Sequence, residues 1–253
     1  MTNPNDPNAE QPPADRWTWE GGWFFPNPPF ARTVLEEMLG NLDLHEACRK
    51  AGGKTENEVL LDSVLQYARG TGPAFDRTCW FHLTRSHPRN SFRRGLLPLR
   101  DALPYVWGFL LMLLPEDFPL EKWYEFARNP ASGPYRARVN DPGSYGPFAL
   151  LPRDAGLSSR QSGSHDPLGA PAIVEDICSA FRTERGVDLL PSYLENTRPC
   201  VVGFIDGETR PEYLGAALHY LYRQLRGGPL PGDCRVDFDA GGEAIPPERI
   251  RRV

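Results

Sequence analysis

The chain has 253 residues, 40% of them hydrophobic and 24% charged, with a net charge of -5 at pH 7. That is enough apolar sequence to bury one main core, and it excludes a wholly disordered chain. The acidic balance excludes a protein whose main role is to coat DNA or an anionic membrane, because such binding demands a dominant basic surface.

Met1 to Asp15 is polar and proline-rich, with neither a basic start nor an apolar run, so it matches no signal or transit peptide and is expected to be a disordered tail over 1–15. No apolar run approaches the roughly 18 to 20 residues of a membrane span, so no membrane partner is expected. Cys48, Cys79, Cys178, Cys200 and Cys234 are odd in number and far apart, without zinc or redox-motif spacing. They mostly fall within apolar patterns and read as buried free thiols of a reducing compartment, which makes the cytoplasm the expected location.

Residues 16–76 form an aromatic arm followed by helices. Trp17, Trp19, Trp23, Phe24, Phe25 and Phe30 are too apolar to stay in water, and the arm either straps the chain's own core or docks a partner. Val34, Leu35, Met38, Leu39 and Leu42 recur at helical spacing, and the Thr55–Glu58 capping box opens a second helix that should end near Gly70. The core domain is assigned to 77–253. From Thr78 to Thr84 the period changes to two, which predicts a strand with Trp80, His82 and Thr84 on one face and Cys79, Phe81 and Leu83 on the other.

An arginine-rich loop, Arg85 to Arg94, leads into Gly95-Leu96-Leu97-Pro98 and an apolar helix carrying Leu103 to Leu114. A short helix is expected around Trp123 to Ala127, a turn-rich stretch from Asn129 to Ser144, a strand at Phe148 to Leu151, and a serine- and glycine-rich loop from Gly156 to Pro171. Ile173, Ile177 and Phe181 mark the next helix. Cys200 to Ile205 is a continuous apolar run, as in a strand buried on both faces. Thr209 and Glu212 form a second capping box before the helix that Gly227 ends. Cys234 to Asp239 alternates as a half-buried strand, and Pro246, Pro247 and Ile250 suggest a terminal helix or turn. Strands interspersed with helices and long loops give an α+β or mixed α/β class, with a central split or mixed sheet and an N-terminal helical layer.

No phosphate-binding loop, dinucleotide fingerprint, zinc-protease motif or nucleophile elbow is present in the sequence. Chemistry concentrates instead at the end of the first strand. His82 and Thr84 project together beside an indole, a suitable wall for a small molecule, and Arg85, Arg89, Arg93, Arg94 and Arg100 offer forked donors to a pyrophosphate or an RNA backbone. His82 and His87 alone are too few for a metal site, and no metal is expected.

Trp80-Phe81-His82-Leu83-Thr84, with Gly95-Leu96-Leu97-Pro98 about a dozen residues on, resembles the start of ADP-ribosyltransferase domains. Asp233 to Phe238 and Ile245-Pro246-Pro247-Glu248-Arg249-Ile250 resemble the final strand and terminal segment of several bacterial members. The resemblance covers two short segments. It implies NAD as the substrate, with His82 and Thr84 at the ribose, Arg85 or Arg89 at the pyrophosphate, and Tyr145, or secondly Tyr135, stacked on nicotinamide. The carboxylate it calls for is Asp237 or Glu243, and an aspartate there would depart from the family's usual glutamate. The implied activity modifies a protein or nucleic-acid acceptor, in the manner of a toxin or defence effector. The alternative from another class is a non-catalytic protein that docks a partner through the tryptophan arm and the arginine loop.

Overall fold

A computed structural model describes residues 32–67, 77–130, 132–157, 165–207, 210–230 and 232–252. The N-terminal tail, the tryptophan arm, Gly70, Thr209 and residues 158–164 of the serine- and glycine-rich loop lie outside that set. In chain order the elements are α1 (Arg32–Asn41), α2 (Leu44–Ala51), α3 (Glu56–Tyr67), β1 (Thr78–Ser86), α4 (Leu99–Leu111) and α5 (Leu120–Arg128). Then come α6 (Gly133–Asn140), β2 (Phe148–Leu151), α7 (Arg153–Leu157), α8 (Ala172–Arg185) and α9 (Leu190–Asn196). The chain closes with β3 (Arg198–Asp206), α10 (Pro211–Arg226), β4 (Val236–Asp239) and β5 (Ile250–Arg252).

Two compact units result, one from Met1–Thr78 with Gly207–Cys234, the other from Cys79–Asp206 with Arg235–Val253. The first is helical. Thr55 and Glu58 satisfy each other as the capping box predicts: the Thr55 N–H donates to Glu58 Oε2 at 2.7 Å and the Glu58 N–H to Thr55 Oγ1 at 3.3 Å. α10 buries Tyr213 to Leu221 continuously. Gly215 lets it approach α3 closely, since a Cβ there would lie 3.0 Å from the Asn57 carbonyl oxygen. Its N-cap is Arg210, which makes no side-chain cap bond, and Gly227 in the left-handed region ends it. α10 thus belongs with the N-terminal helices, an arrangement that a boundary at residue 77 does not capture.

The second unit holds an open antiparallel sheet of order β4-β2-β1-β3-β5. The fold is mixed α+β, and in place of a split or mixed sheet the described strands form one antiparallel sheet. The connection from β1 to β2 leaves and re-enters the sheet at the same end, which makes these neighbours antiparallel. The strand spans expected at Thr78, Phe148, Cys200 and Cys234 correspond to β1, β2, β3 and β4. Phe81 pairs with Leu150 and Leu150 with Asp237, so these three residues share one face. The other face carries Trp80, which reaches over small Ala149 to Phe238 (ring centroids 5.0 Å apart), while Phe204 meets Phe238 at 5.3 Å. α4, α5, α8 and α9 close a separate aromatic cluster around Leu110, Trp123, Phe126, Ile177, Phe181 and Tyr193.

Two differences from the sequence expectation have physical causes, and the cysteines match it only in part. The turn-rich stretch contains α6, started by Ser132 capping the Tyr135 N–H. α6 buries no residue fully, so no apolar stripe announced it. The terminal segment makes only one 3-10 turn, Pro247–Arg249, and then pairs with β3 as β5. Cys79, Cys178 and Cys234 are buried thiols, whereas Cys48 and Cys200 are half-buried.

Candidate functional site

Antiparallel register brings the C-terminal end of β1, the N-terminal end of β2 and the C-terminal end of β4 together, because Phe148 pairs with Asp239. His82 sits at this end on the Trp80 face, half-buried, with Nδ1 bonded to the Phe148 carbonyl at 2.6 Å. An acceptor at that distance requires Nδ1 to carry the hydrogen, which leaves Nε2 of the neutral ring as an acceptor. Burial pushes the His82 pKa down, and the carbonyl bond offsets part of that shift. Thr84 is half-buried two residues on, its hydroxyl 3.4 Å from the Arg85 carbonyl.

Tyr145 and the turn that carries Glu243 lie at the same end. The Ala240 N–H donates to Pro147 O at 3.1 Å and the Gly242 N–H to Gly146 O at 2.9 Å, so the turn after β4 runs alongside the entry to β2. Gly242 adopts φ +84°, and a Cβ there would lie 3.6 Å from Tyr145 side-chain atoms. Tyr145 therefore rests on the Gly242 backbone, with the exposed Glu243 the next residue along. The tyrosine hydroxyl donates to Val139 O at 3.1 Å, which anchors the ring. Tyr135 lies elsewhere, edge-on to Trp107 at 5.9 Å.

Asp237 is not brought to His82. It shares the face of Phe81 and Leu150, opposite to Trp80 and His82, and its carboxylate is held by Arg235 at 2.7 Å. Arg85 is also committed elsewhere. Its guanidinium donates to Thr197 Oγ1 (3.0 Å), Leu168 O (2.9 Å), Leu194 O (2.9 Å) and Thr197 O (2.8 Å), tying β1 to the carbonyl-rich end of α9. The expected pyrophosphate contact does not fit a fork whose Nε, Nη1 and Nη2 all serve the fold. Arg89 is exposed in the loop after β1, where its backbone N–H donates to His87 Nδ1 at 3.2 Å. Arg94 lies over the Tyr105 ring at 4.8 Å and Arg100 lies 3.6 Å from Asp101.

The two segments that carry the resemblance also touch. Leu96 and Ile245 exchange both backbone hydrogen bonds at 2.9 Å as an antiparallel bridge. Gly95, at φ +75°, is required there, because a Cβ would overlap the Ile245 carbonyl oxygen.

A hollow of about 510 Å³ that sequence patterning did not reveal opens on the Phe81 face. Phe81, Phe92, Val201 and Gly203 line it with Arg153, Arg198, Ser86 and Cys200, and no carboxylate is among its described lining residues. Phe92 has φ +51°, a conformation that costs a non-glycine residue about 1–3 kcal/mol. Asn90 holds it there by accepting the Phe92 N–H at 3.0 Å while donating to Ser86 Oγ at 2.7 Å. Burial raises the Cys200 thiol pKa, and the nearby Arg85 charge opposes the rise. A lone arginine heading an apolar strand, as Arg198 does, was the one signal the sequence held.

Among the described residues no group of three or more His, Cys, Asp or Glu could hold a metal ion, and no helix is long and apolar enough to cross a membrane. No protein-family model, curated protein or solved structure matches this chain.

Proposed function

We propose that the chain is an ADP-ribosyltransferase-like protein that binds NAD at the sheet end carrying His82, Thr84, Tyr145 and Glu243. The observation that carries this reading is the Leu96–Ile245 bridge. Segments far apart in sequence, each resembling one end of the family pattern, hydrogen-bond to one another, and the turn just before Ile245 brings Gly242, the neighbour of Glu243, against Tyr145. In such chemistry the bond between the ribose C1′ and nicotinamide breaks, nicotinamide leaves with the bonding pair, and an acceptor nucleophile on a protein or nucleic acid attacks an oxocarbenium-like carbon. His82 Nε2 contacts a ribose hydroxyl, Tyr145 lies against the nicotinamide ring, and the Glu243 carboxylate polarises the ribose and orients the acceptor. Glu243 is preferred to Asp237, which faces away from His82 and is paired with Arg235. Arg89, exposed just beyond β1, is preferred to Arg85 for the pyrophosphate. A toxin or defence role follows from the resemblance, with the acceptor a macromolecule.

Calorimetry with NAD tests the reading. His82→Ala should weaken binding by about 1–3 kcal/mol, the cost of a buried polar contact left unmade. Glu243→Ala should keep binding and lose turnover. Growth inhibition on expression should be relieved by either substitution. No binding of NAD at millimolar concentration would end the proposal and leave a non-catalytic protein that docks a partner.

A further inference from the structure

We infer that the hollow on the Phe81 face is a second binding site, which takes a nucleoside monophosphate: a flat base between Phe81 and Phe92, with the phosphate at Arg198 and Arg153. This inference does not rest on the NAD reading, since Phe81 and His82 are adjacent in β1 and project to opposite faces. Its volume, about 510 Å³, lies within the roughly 300–1,000 Å³ of small-molecule sites. Phe81 and Phe92 are both buried, and they give it apolar walls suited to an aromatic ring.

Charge selects the other half of the ligand. Arg198 is exposed at the first position of β3, and Arg153 is the partly buried first residue of α7, with its neighbour Asp154 at 3.3 Å. No carboxylate is among the described lining residues; the exposed Arg198 presents its guanidinium fork to whatever enters, Arg153 adds positive charge from its place beside Asp154, and a phosphate meets an arginine fork with paired hydrogen bonds. The wall is also built in advance. Asn90 fixes Phe92 in its left-handed conformation and Ser86 in place, so ligand entry requires no folding of this loop. Ser86 accepts from Asn90 and keeps its own O–H to donate.

The experiment titrates adenosine 5′-monophosphate, adenosine and inorganic phosphate into the full chain by calorimetry, with Arg198→Ala and His82→Ala alongside. Expected are saturable binding of the monophosphate, at least tenfold weaker binding of adenosine and of phosphate alone, a loss of tenfold or more in Arg198→Ala, and no change in His82→Ala. In the unmodified protein the monophosphate should also slow alkylation of Cys200, a measurement that needs no variant. Absence of binding at millimolar concentration, binding indifferent to Arg198, binding lost with His82, or an unchanged Cys200 alkylation rate would each overturn the assignment.

Discussion

The two units each carry a hollow, and the larger is the poorer in chemistry. Between α2 and α3 a space of about 740 Å³ is lined, among the described residues, by Ala47, Lys50, Ala51, Val59, Asp62, Ser63, Leu65 and Gln66, which include one cation, one anion and no aromatic ring. The hollow beside β1 and β3, about 510 Å³, gathers two phenylalanines and two arginines. The helical unit also satisfies its polar groups internally. Fully buried His219 bonds through Nδ1 to Asn57 Oδ1 at 2.8 Å and lies 2.7 Å from Glu56 Oε2, which Arg223 also binds at 2.6 Å. The sheet unit leaves Glu243, Arg89 and Arg198 exposed at one end of its strands. Volume alone is therefore a poor guide to function. In the helical unit the buried polar residues hold elements together; in the sheet unit Arg85 does the same, while Glu243, Arg89 and Arg198 lie open to solvent.

The strongest way to break that comparison is at His219. His219→Ala should destabilise the protein by about 3 kcal/mol in chemical denaturation, because it empties a fully buried site and removes the ring that joins Asn57 to the Glu56–Arg223 pair. A loss below about 0.5 kcal/mol would mean that the polar cluster joining α3 and α10 holds nothing. Next comes Gly95→Ala, expected to cost about 2 kcal/mol through its positive φ and its overlap with the Ile245 carbonyl. It should weaken NAD binding as well, since the bridge sets the turn on which Tyr145 rests. Thr55→Ala removes one side of a capping box and should cost about 1 kcal/mol with no effect on ligand binding.

Much of the scaffold was legible in the sequence, because local rules decide it. The alternation of Cys79 to Thr84 gives β1 and its two faces, Thr55 and Glu58 start α3, and the apolar run at Cys200 gives β3. Where a segment's fate depends on distant partners, the local pattern was silent. Ile250 becomes a strand only because Phe204 offers an edge, and α6 forms with no buried residue to mark it. Arg85 looked like an anion ligand because nothing local shows that carbonyls of Leu168, Leu194 and Thr197 close around it. Glu243 and Tyr145 could be named but not brought to one end of the sheet, since that depends on the backbone bond from Gly242 to Gly146. The Phe81 hollow has contributions from β1, its following loop, α7 and β3, and no single window of sequence contains it.

His82 sharpens the comparison through pH. Its folded pKa lies below the ordinary 6.5 because burial disfavours the imidazolium. Below pH 6.5 the unfolded chain takes up a proton that the folded chain refuses, so this residue's contribution is complete above that pH and is lost as pH falls through the window beneath it. His82→Gln keeps a donor for the Phe148 carbonyl and removes the titration. Its stability should therefore fall less steeply than the wild type's as pH drops from 6.5, measured by denaturant midpoint. Equal slopes would show that His82 is protonated as easily folded as unfolded.

The smallest effect is expected at Asp237, and its smallness is informative. Asp237 is a candidate carboxylate by position in the chain, yet strand alternation places it on the Phe81 face while Phe238 goes to the Trp80 face. Its side chain is 66% exposed and its partner Arg235 lies two residues away, just before the edge strand begins, a pair that solvent screens strongly. Asp237→Ala should then shift stability by no more than about 0.5 kcal/mol and leave both NAD binding and turnover at wild-type levels. Glu243→Ala, in the turn that touches Tyr145, should abolish turnover under the same conditions. If instead Asp237→Ala abolishes turnover and Glu243→Ala spares it, the reacting ribose lies on the Phe81 face. The hollow there would then hold the substrate itself, and the two faces of β1 would exchange roles.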